Sequence, residues 1–339
     1  MHVAAAGEHG VAALIADLGI GLASAPRFVS ALRARAVKDA ALDAIREEHL
    51  RCFLDACAAA GLRPLLMKGG ALAYTHYARP DLRARFDTDI LVAPDARERA
   101  VAILASSGYV AIPQAGGELI AYQAAYATRL GDVSIDTIDL HWRIANPQQF
   151  GPFLSYDDAE RQAVSVPALA PQARALGPVH ALLLACVHRV AHHFDAPHLI
   201  WLYDLRLLAE RFTAAEWRAF VALAHERGVA TVTQRSLARA RFMVGAPIAD
   251  DTLEALTGQG AADAATAAYL APGRRHVQDV LADLRSLGTW RDRWSLVRQH
   301  MFPPVGYMRT VYAPASTTPL PMLYALRCWR GARKWLARS

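Results

Sequence analysis

What most constrains this chain is a change of period near Asn146-Pro147. Before it, short apolar or alternating runs are separated by glycine, proline and aspartate. After it, apolar residues recur every three or four positions over 178–193, 198–212, 214–227, 230–243, 250–270 and 276–299. Period two builds strands and a period near 3.6 builds amphipathic helices, so the two parts are different kinds of structure. The fold class predicted is α+β: helices over 1–60, a small mixed α/β module over 61–145, a larger all-helical domain over 146–300, and an extension over 301–339 carrying a basic helix at 320–337. With 339 residues, 54% hydrophobic and 20% charged, the chain can bury a sizeable core, which excludes a disordered or collagen-like protein.

Within the first part, residues 27–60 carry apolar positions at helical spacing up to Gly61. Pro64 to Met67 reads as a buried strand that stops at Lys68-Gly69-Gly70, and a helix of about two turns follows before Pro80. Phe86 to Val92 reads as a strand with Asp87 and Asp89 on one face. Asp95 is expected to cap a helix that ends at Gly108. Strands are expected around 109–112, 126–130 and 133–142, the last two joined by the two-residue turn Gly131-Asp132.

Charge and cysteine narrow the function classes. The net charge of +6 is unevenly spread: from Arg274 onward there are 12 Lys/Arg against 3 Asp/Glu, leaving 25 against 28 for residues 1–273. A slightly acidic body argues against nucleic acid as the main partner, because phosphate backbones are held by basic grooves. Cys52, Cys57, Cys186 and Cys328 form no Cys-x-x-Cys pair, which suggests neither a thiolate zinc site nor a disulfide framework. No apolar run reaches the roughly 18 to 20 residues of a membrane span, and the start lacks the pattern of an export signal. The expected location is the cytoplasm.

The residues that carry chemistry lie between 65 and 142. A strand that ends in two glycines and opens into a helix offers backbone N–H groups and a positive helix terminus, the physical requirements for holding a phosphate. Lys68 stands at that turn. Two carboxylates on one strand face, Asp87 and Asp89, repel each other when bare and suit a hard divalent cation between them. A third carboxylate would complete a site for one or two ions. Asp139 is the candidate and Asp136 its rival; three residues apart on a strand they face opposite ways, so only one can join. His141 shares the face of Asp139, close to substrate or as a structural hydrogen-bonding group.

In this arrangement the chain resembles the nucleotidyltransferase superfamily typified by DNA polymerase beta. More closely, Lys68-Gly69-Gly70, Tyr77, Arg83, Asp87-x-Asp89 with Leu91-Val92, Gly108-Tyr109 and Asp139-Leu140-His141-Trp142 are similar to the bacterial family of uncharacterised nucleotidyltransferases. So are His188-x-x-x-His192-His193, Trp201-Leu202-Tyr203-Asp204, Phe302-Pro303 and Tyr312, which extends the resemblance over about 60–335. The resemblance implies transfer of a nucleoside monophosphate from a nucleoside triphosphate, ATP by expectation, to a small-molecule, peptide or protein acceptor. It implies Mg²⁺ or Mn²⁺ held by Asp87, Asp89 and Asp139, with Asp139 also helping to deprotonate the acceptor. Lys68, Gly69 and Gly70 would cradle the β and γ phosphates, and Arg83 would clamp phosphate or pyrophosphate. The motif favours Asp139 over Asp136. Gly-Gly stands where the superfamily has Gly-Ser, and this feature speaks for an alternative: a degenerate relative that binds nucleotide or a partner as a regulatory module. Template-independent RNA tailing shares the same core but lacks a basic, aromatic groove here.

His188 and His192 are one helical turn apart, yet Arg189 replaces the glutamate of a zinc-protease helix, which disfavours a hydrolase. These histidines with His193 and Asp204 either line the cleft between module and helical domain or form a buried hydrogen-bond network. The C-terminal helix alternates apolar and arginine positions, which fits docking on the core with solvated arginines; nucleic acid, an acidic acceptor or an anionic membrane surface are the other readings.

Overall fold

The computed structural model describes residues 3–19, 26–114, 119–312 and 318–336. It is built on one seven-stranded mixed sheet: β1 (Leu65–Leu66), β2 (Thr88–Leu91), β3 (Val110–Ala111), β4 (Gln123–Leu130), β5 (Val133–His141), β6 (Val164–Ser165) and β7 (Arg174–Ala175). The strand order is β3-β4-β5-β2-β1-β7-β6. β2 runs parallel to β5 and antiparallel to β1, while β4 and β5 form the expected hairpin, Leu130 opposite Val133 and Gly131 at φ +59. Only a residue tolerant of positive φ fits that turn without strain. The architecture is α+β, with N-terminal helices and a C-terminal helical region.

Period two decides what each sheet face meets. Leu66, Ile90, Ile138 and Leu140 point to one side, where they pack against Leu50, Phe53, Leu54 and Cys57 of the long helix Pro26–Ala59 and against Ala100 and Leu104 of the helix Arg97–Ser106. The opposite face, carrying Leu65 and Leu91, joins the core of the helical half, built on Pro178–His193, Leu199–Glu210 and Ala230–Val244. Odd-numbered residues of β2 and β5 therefore turn toward the helices. Asp89 and Asp139 are partners in register, and so are Leu91 and His141.

Several local expectations change. β6 and β7 lie beyond Asn146-Pro147, inside the expected all-helical domain, where strands of two residues are too short to show a period, and β7 pairs with β1 through Leu66 and Ala175. Asp95 does not cap a helix: Pro94 starts a 3₁₀ turn that runs straight into the helix Arg97–Ser106, whose cap residue is Ala96. The patterns over 250–270 and 276–299 each break in two, at Leu256–Gln259 and at Leu287-Gly288-Thr289, where the Thr289 hydroxyl accepts from the Asp292 amide at 3.1 Å. Helices Val3–Glu8 and Ala12–Leu18 precede the long one, and the basic helix is described over Leu320–Leu336, its expected last residue, 337, lying outside the described residues.

One packing contact gives a pH-dependent prediction. Asp283 accepts from the Gln148 amide at 2.7 Å and so joins the helix His276–Ser286 to the 3₁₀ turn Gln148–Phe153. Burial pushes its carboxyl from 3.8 up to about 6. A raised folded-state value means that ionisation costs the folded protein more than the unfolded chain. The group's contribution is therefore most favourable below pH 3.8 and is lost as pH rises through about 6. Asp283→Asn keeps the acceptor and cannot ionise. It is expected to be more stable than the parent at pH 7 by up to about 2 kcal/mol, with the difference vanishing near pH 4, in urea melts at the two values.

Candidate active site

The strand β1 is followed by Met67, whose amide bonds to the Asp89 carbonyl at 3.0 Å, and the helix Lys68–Thr75 begins at once. The glycine pair is thus inside the first helical turn rather than in a loop ahead of it. Both glycines answer to close packing. A Cβ on Gly69 would stand 2.6 Å from the Arg83 guanidinium carbon, and one on Gly70 would stand 3.1 Å from the Thr88 methyl. The missing side chain at Gly70 leaves room for the close approach of β2. No side chain caps this helix, and Lys68, Gly69 and Gly70 line a cavity of about 600 Å³, within the size range of small-ligand sites.

Lys68 has φ +50, a left-handed conformation that side chains other than glycine adopt at a cost of about 1 kcal/mol or more. Its ammonium donates to Asp89 Oδ1 at 2.6 Å, and His141 Nε2 meets the same oxygen at 2.9 Å. Burial works to raise the Asp89 carboxyl, but the Lys68 charge and the His141 hydrogen bond overcome it and hold the group below the usual carboxylate range. Asp139, across the parallel ladder, lacks such partners and accepts only a 3.1 Å bond from Gln123 Nε2 among the described contacts. Burial, then the negative charges of Asp87 and Asp89, push its carboxyl up to about 7.

Among the described residues, Asp89, Asp139 and His141 are the set of three whose donor atoms all lie within 4.8 Å of one another. The two carboxylates suit a hard divalent cation such as Mg²⁺ or Mn²⁺, the imidazole suits a softer transition metal, and the Lys68 ammonium shows that the position already attracts a cation. Asp87 does not lie on the strand. It sits half-buried in the bend just before β2 and lines the same cavity. Burial and the neighbouring Asp89 raise its carboxyl. That bend is fixed by ion pairs: Arg85 holds Asp43 at 2.9 Å, and Arg83 holds Asp204 at 2.8 Å.

The Arg83 contact places two further predicted residues. Its Nε and Nη2 both bond the Asp204 carboxylate, which also accepts from the Tyr77 hydroxyl at 2.7 Å. Arg83 and Asp204 are 7% and 4% exposed, so each charge depends on the other. The pair ties the segment after the glycine helix to Leu199–Glu210 of the helical half while still lining the cavity.

The remaining wall is imidazole and indole. His188 and His192 stack at 5.1 Å, and the His193 ring lies 4.2 Å from Trp201. All four line the cavity. Burial, then the Lys68 charge, lowers these imidazoles, to about 3 for His192 and about 4 for His193, so the wall is neutral at pH 7. Arg189 points elsewhere, to Asp195 and to Ser236 Oγ at 3.0 Å. Asp136 faces the other side of the sheet, where it accepts from Tyr109. Sequence reasoning missed Gln123, because a glutamine at the start of a strand carries no signal until its partner strand is known.

A family model described as "Uncharacterised nucleotidyltransferase" matches residues 2–245 of the 339-residue chain. The match takes in the N-terminal helices, the whole sheet and the helices that carry the histidine wall; it ends at 245, so the helices from Asp250 onward and the resembling positions Phe302-Pro303 and Tyr312 lie outside it. No curated protein matches the chain.

Proposed function

The chain belongs to the uncharacterised nucleotidyltransferase family, and from that premise we propose that it transfers a nucleoside monophosphate from a triphosphate, ATP by preference, to an oxygen of a small-molecule, peptide or protein acceptor. The observation that carries this reading is the registered pair Asp89 and Asp139, set on parallel strands in a cavity whose other rim is the uncapped Lys68–Thr75 helix.

In this reading Asp89 and Asp139, with His141 or Asp87 beside them, hold Mg²⁺ or Mn²⁺. The ion supplies charge neutralisation for the triphosphate when bound. The chain's own groups do the rest. Lys68 and the first-turn amides of Gly69 and Gly70 receive the β and γ phosphates, and Arg83 adds positive field from beneath Gly69. Asp139 takes the proton as the acceptor oxygen bonds the α phosphorus. The bond from that phosphorus to the bridging oxygen breaks and pyrophosphate leaves. The neutral histidine and tryptophan wall stands opposite, where a base or acceptor is bound without competing for the phosphates.

The test is incubation of the full chain with each of four labelled triphosphates, Mg²⁺ or Mn²⁺ and cell extract, followed by mass spectrometry. A product heavier by one nucleotide residue and release of pyrophosphate are expected; no labelled product with any triphosphate would count against transfer. The second reading, a nucleotide-binding regulatory module, is favoured by one feature: Lys68 and His141 together saturate Asp89 Oδ1. Triphosphate binding that is indifferent to Mg²⁺ in calorimetry supports it.

A further inference from the structure

The helix Trp290–Met301 carries Trp290, Trp294, Val297 and Met301 on one stripe, at spacings of four, three and four residues. Trp290 is 78% and Trp294 63% exposed, while Leu296 on the opposite side is fully buried. Leu281 and Leu284 of the helix His276–Ser286 face the stripe, and together they form an apolar groove of about 370 Å³. Arg285 and Arg293 line it, and Arg291 and Arg298 stand exposed on the same helix as the tryptophans. Of the nearby acids, Asp292 is engaged by the Thr289 hydroxyl at 2.7 Å and Asp283 accepts from the Gln148 amide at 2.7 Å. From Arg293 to the end the sequence has eight Lys/Arg and no Asp or Glu. The helix Leu320–Leu336, held by Arg327 to the His300 carbonyl at 3.0 Å, adds exposed Met322 and Trp329 seven residues apart.

We propose that these C-terminal helices are a docking surface for an anionic lipid bilayer, with Trp290 and Trp294 at headgroup depth. The match is one of charge and polarity. Indole rings prefer the boundary between hydrocarbon and water, arginine stems lie along apolar surface with their heads at lipid phosphates, and the aliphatic groove accepts acyl chain. A single-stranded nucleic acid satisfies the arginines but leaves Leu281, Leu284 and Val297 against sugar and phosphate. A second copy of this chain would bring Arg285, Arg291 and Arg298 against their own like charges. No helix among the described residues is long and apolar enough to cross a membrane, so the contact is peripheral.

Sedimentation of the full chain with phosphatidylglycerol-containing vesicles, compared with pure phosphatidylcholine vesicles, tests this. Binding to the anionic vesicles alone is expected, with a blue shift of tryptophan emission and a loss of about tenfold or more on raising salt from 0.1 to 0.5 M. Trp290→Ser with Trp294→Ser is expected to reduce partitioning at least about tenfold and remove the shift, with the melting transition retained. Arg291→Glu with Arg298→Glu reaches the same result through charge and needs no change at the apolar stripe. The proposal is overturned if neither vesicle binds, if both double variants bind as the parent does, if single-stranded RNA is retained in place of vesicles, or if sedimentation velocity shows a dimer that the tryptophan variants dissolve.

Discussion

Asp89→Asn is expected to lower nucleotide transfer by at least about a thousandfold, the largest loss of any single change in this molecule. Asp89 is where three demands meet: it faces Asp139 in register, it accepts from His141, and it fixes the Lys68 ammonium. An amide cannot replace the negative charge that neutralises a cation, and a lost charge contact to a metal in a dry site is worth several kcal/mol, each 1.4 kcal/mol being a factor of ten. The substitution also leaves the largely buried Lys68 without its counter-charge, so stability falls too, by about 1 to 3 kcal/mol. Lys68→Met combined with Asp89→Asn separates the two effects. The double variant should regain stability in a thermal melt and still transfer nothing. Substantial transfer by Asp89→Asn alone would remove Asp89 from the site.

The largest effect on stability is expected at Asp204. Asp204→Ala strands the Arg83 guanidinium in a site that is 7% exposed and takes the acceptor from the Tyr77 hydroxyl. Breaking a buried ion pair from one side costs about 3 to 5 kcal/mol, because the remaining charge keeps its desolvation penalty. Replacing both partners, Arg83→Met with Asp204→Leu, should recover most of that loss in urea melts. The same double variant bears on chemistry: if Arg83 contributes to the phosphates, transfer stays low after stability returns. If transfer returns as well, the arginine serves only to hold the module against the helices.

The sequence made legible those parts of the fold that local periodicity encodes. The hairpin at Gly131-Asp132 and the helix at Pro178–His193 follow from spacing alone, and the strand faces around Asp139 and Asp136 follow from period two. The family was legible from an ensemble of short motifs. What could not be read depends on contacts distant in sequence. Nothing around Arg83 shows that its partner lies 121 residues away in Asp204, or that its guanidinium is the reason Gly69 has no side chain. Asp87 looked equivalent to Asp89 because alternation places both on one face. The ion pairs of Arg83 and Arg85 bend the chain before β2 begins and set the two acids in different positions. His141 could be either close to substrate or structural, and only the register with Leu91 brings its Nε2 onto Asp89.

The sheet has one more implication. Its edge beside β1 is occupied by β7 and β6, which the chain contributes only after it has passed through the module and begun the helical half. The two halves are therefore interlaced in their backbone hydrogen bonding, and no single cut yields two finished pieces. A lineage built this way cannot acquire a new partner for its chemistry by exchanging the helical half as a cassette. It must change side chains on helices it already has.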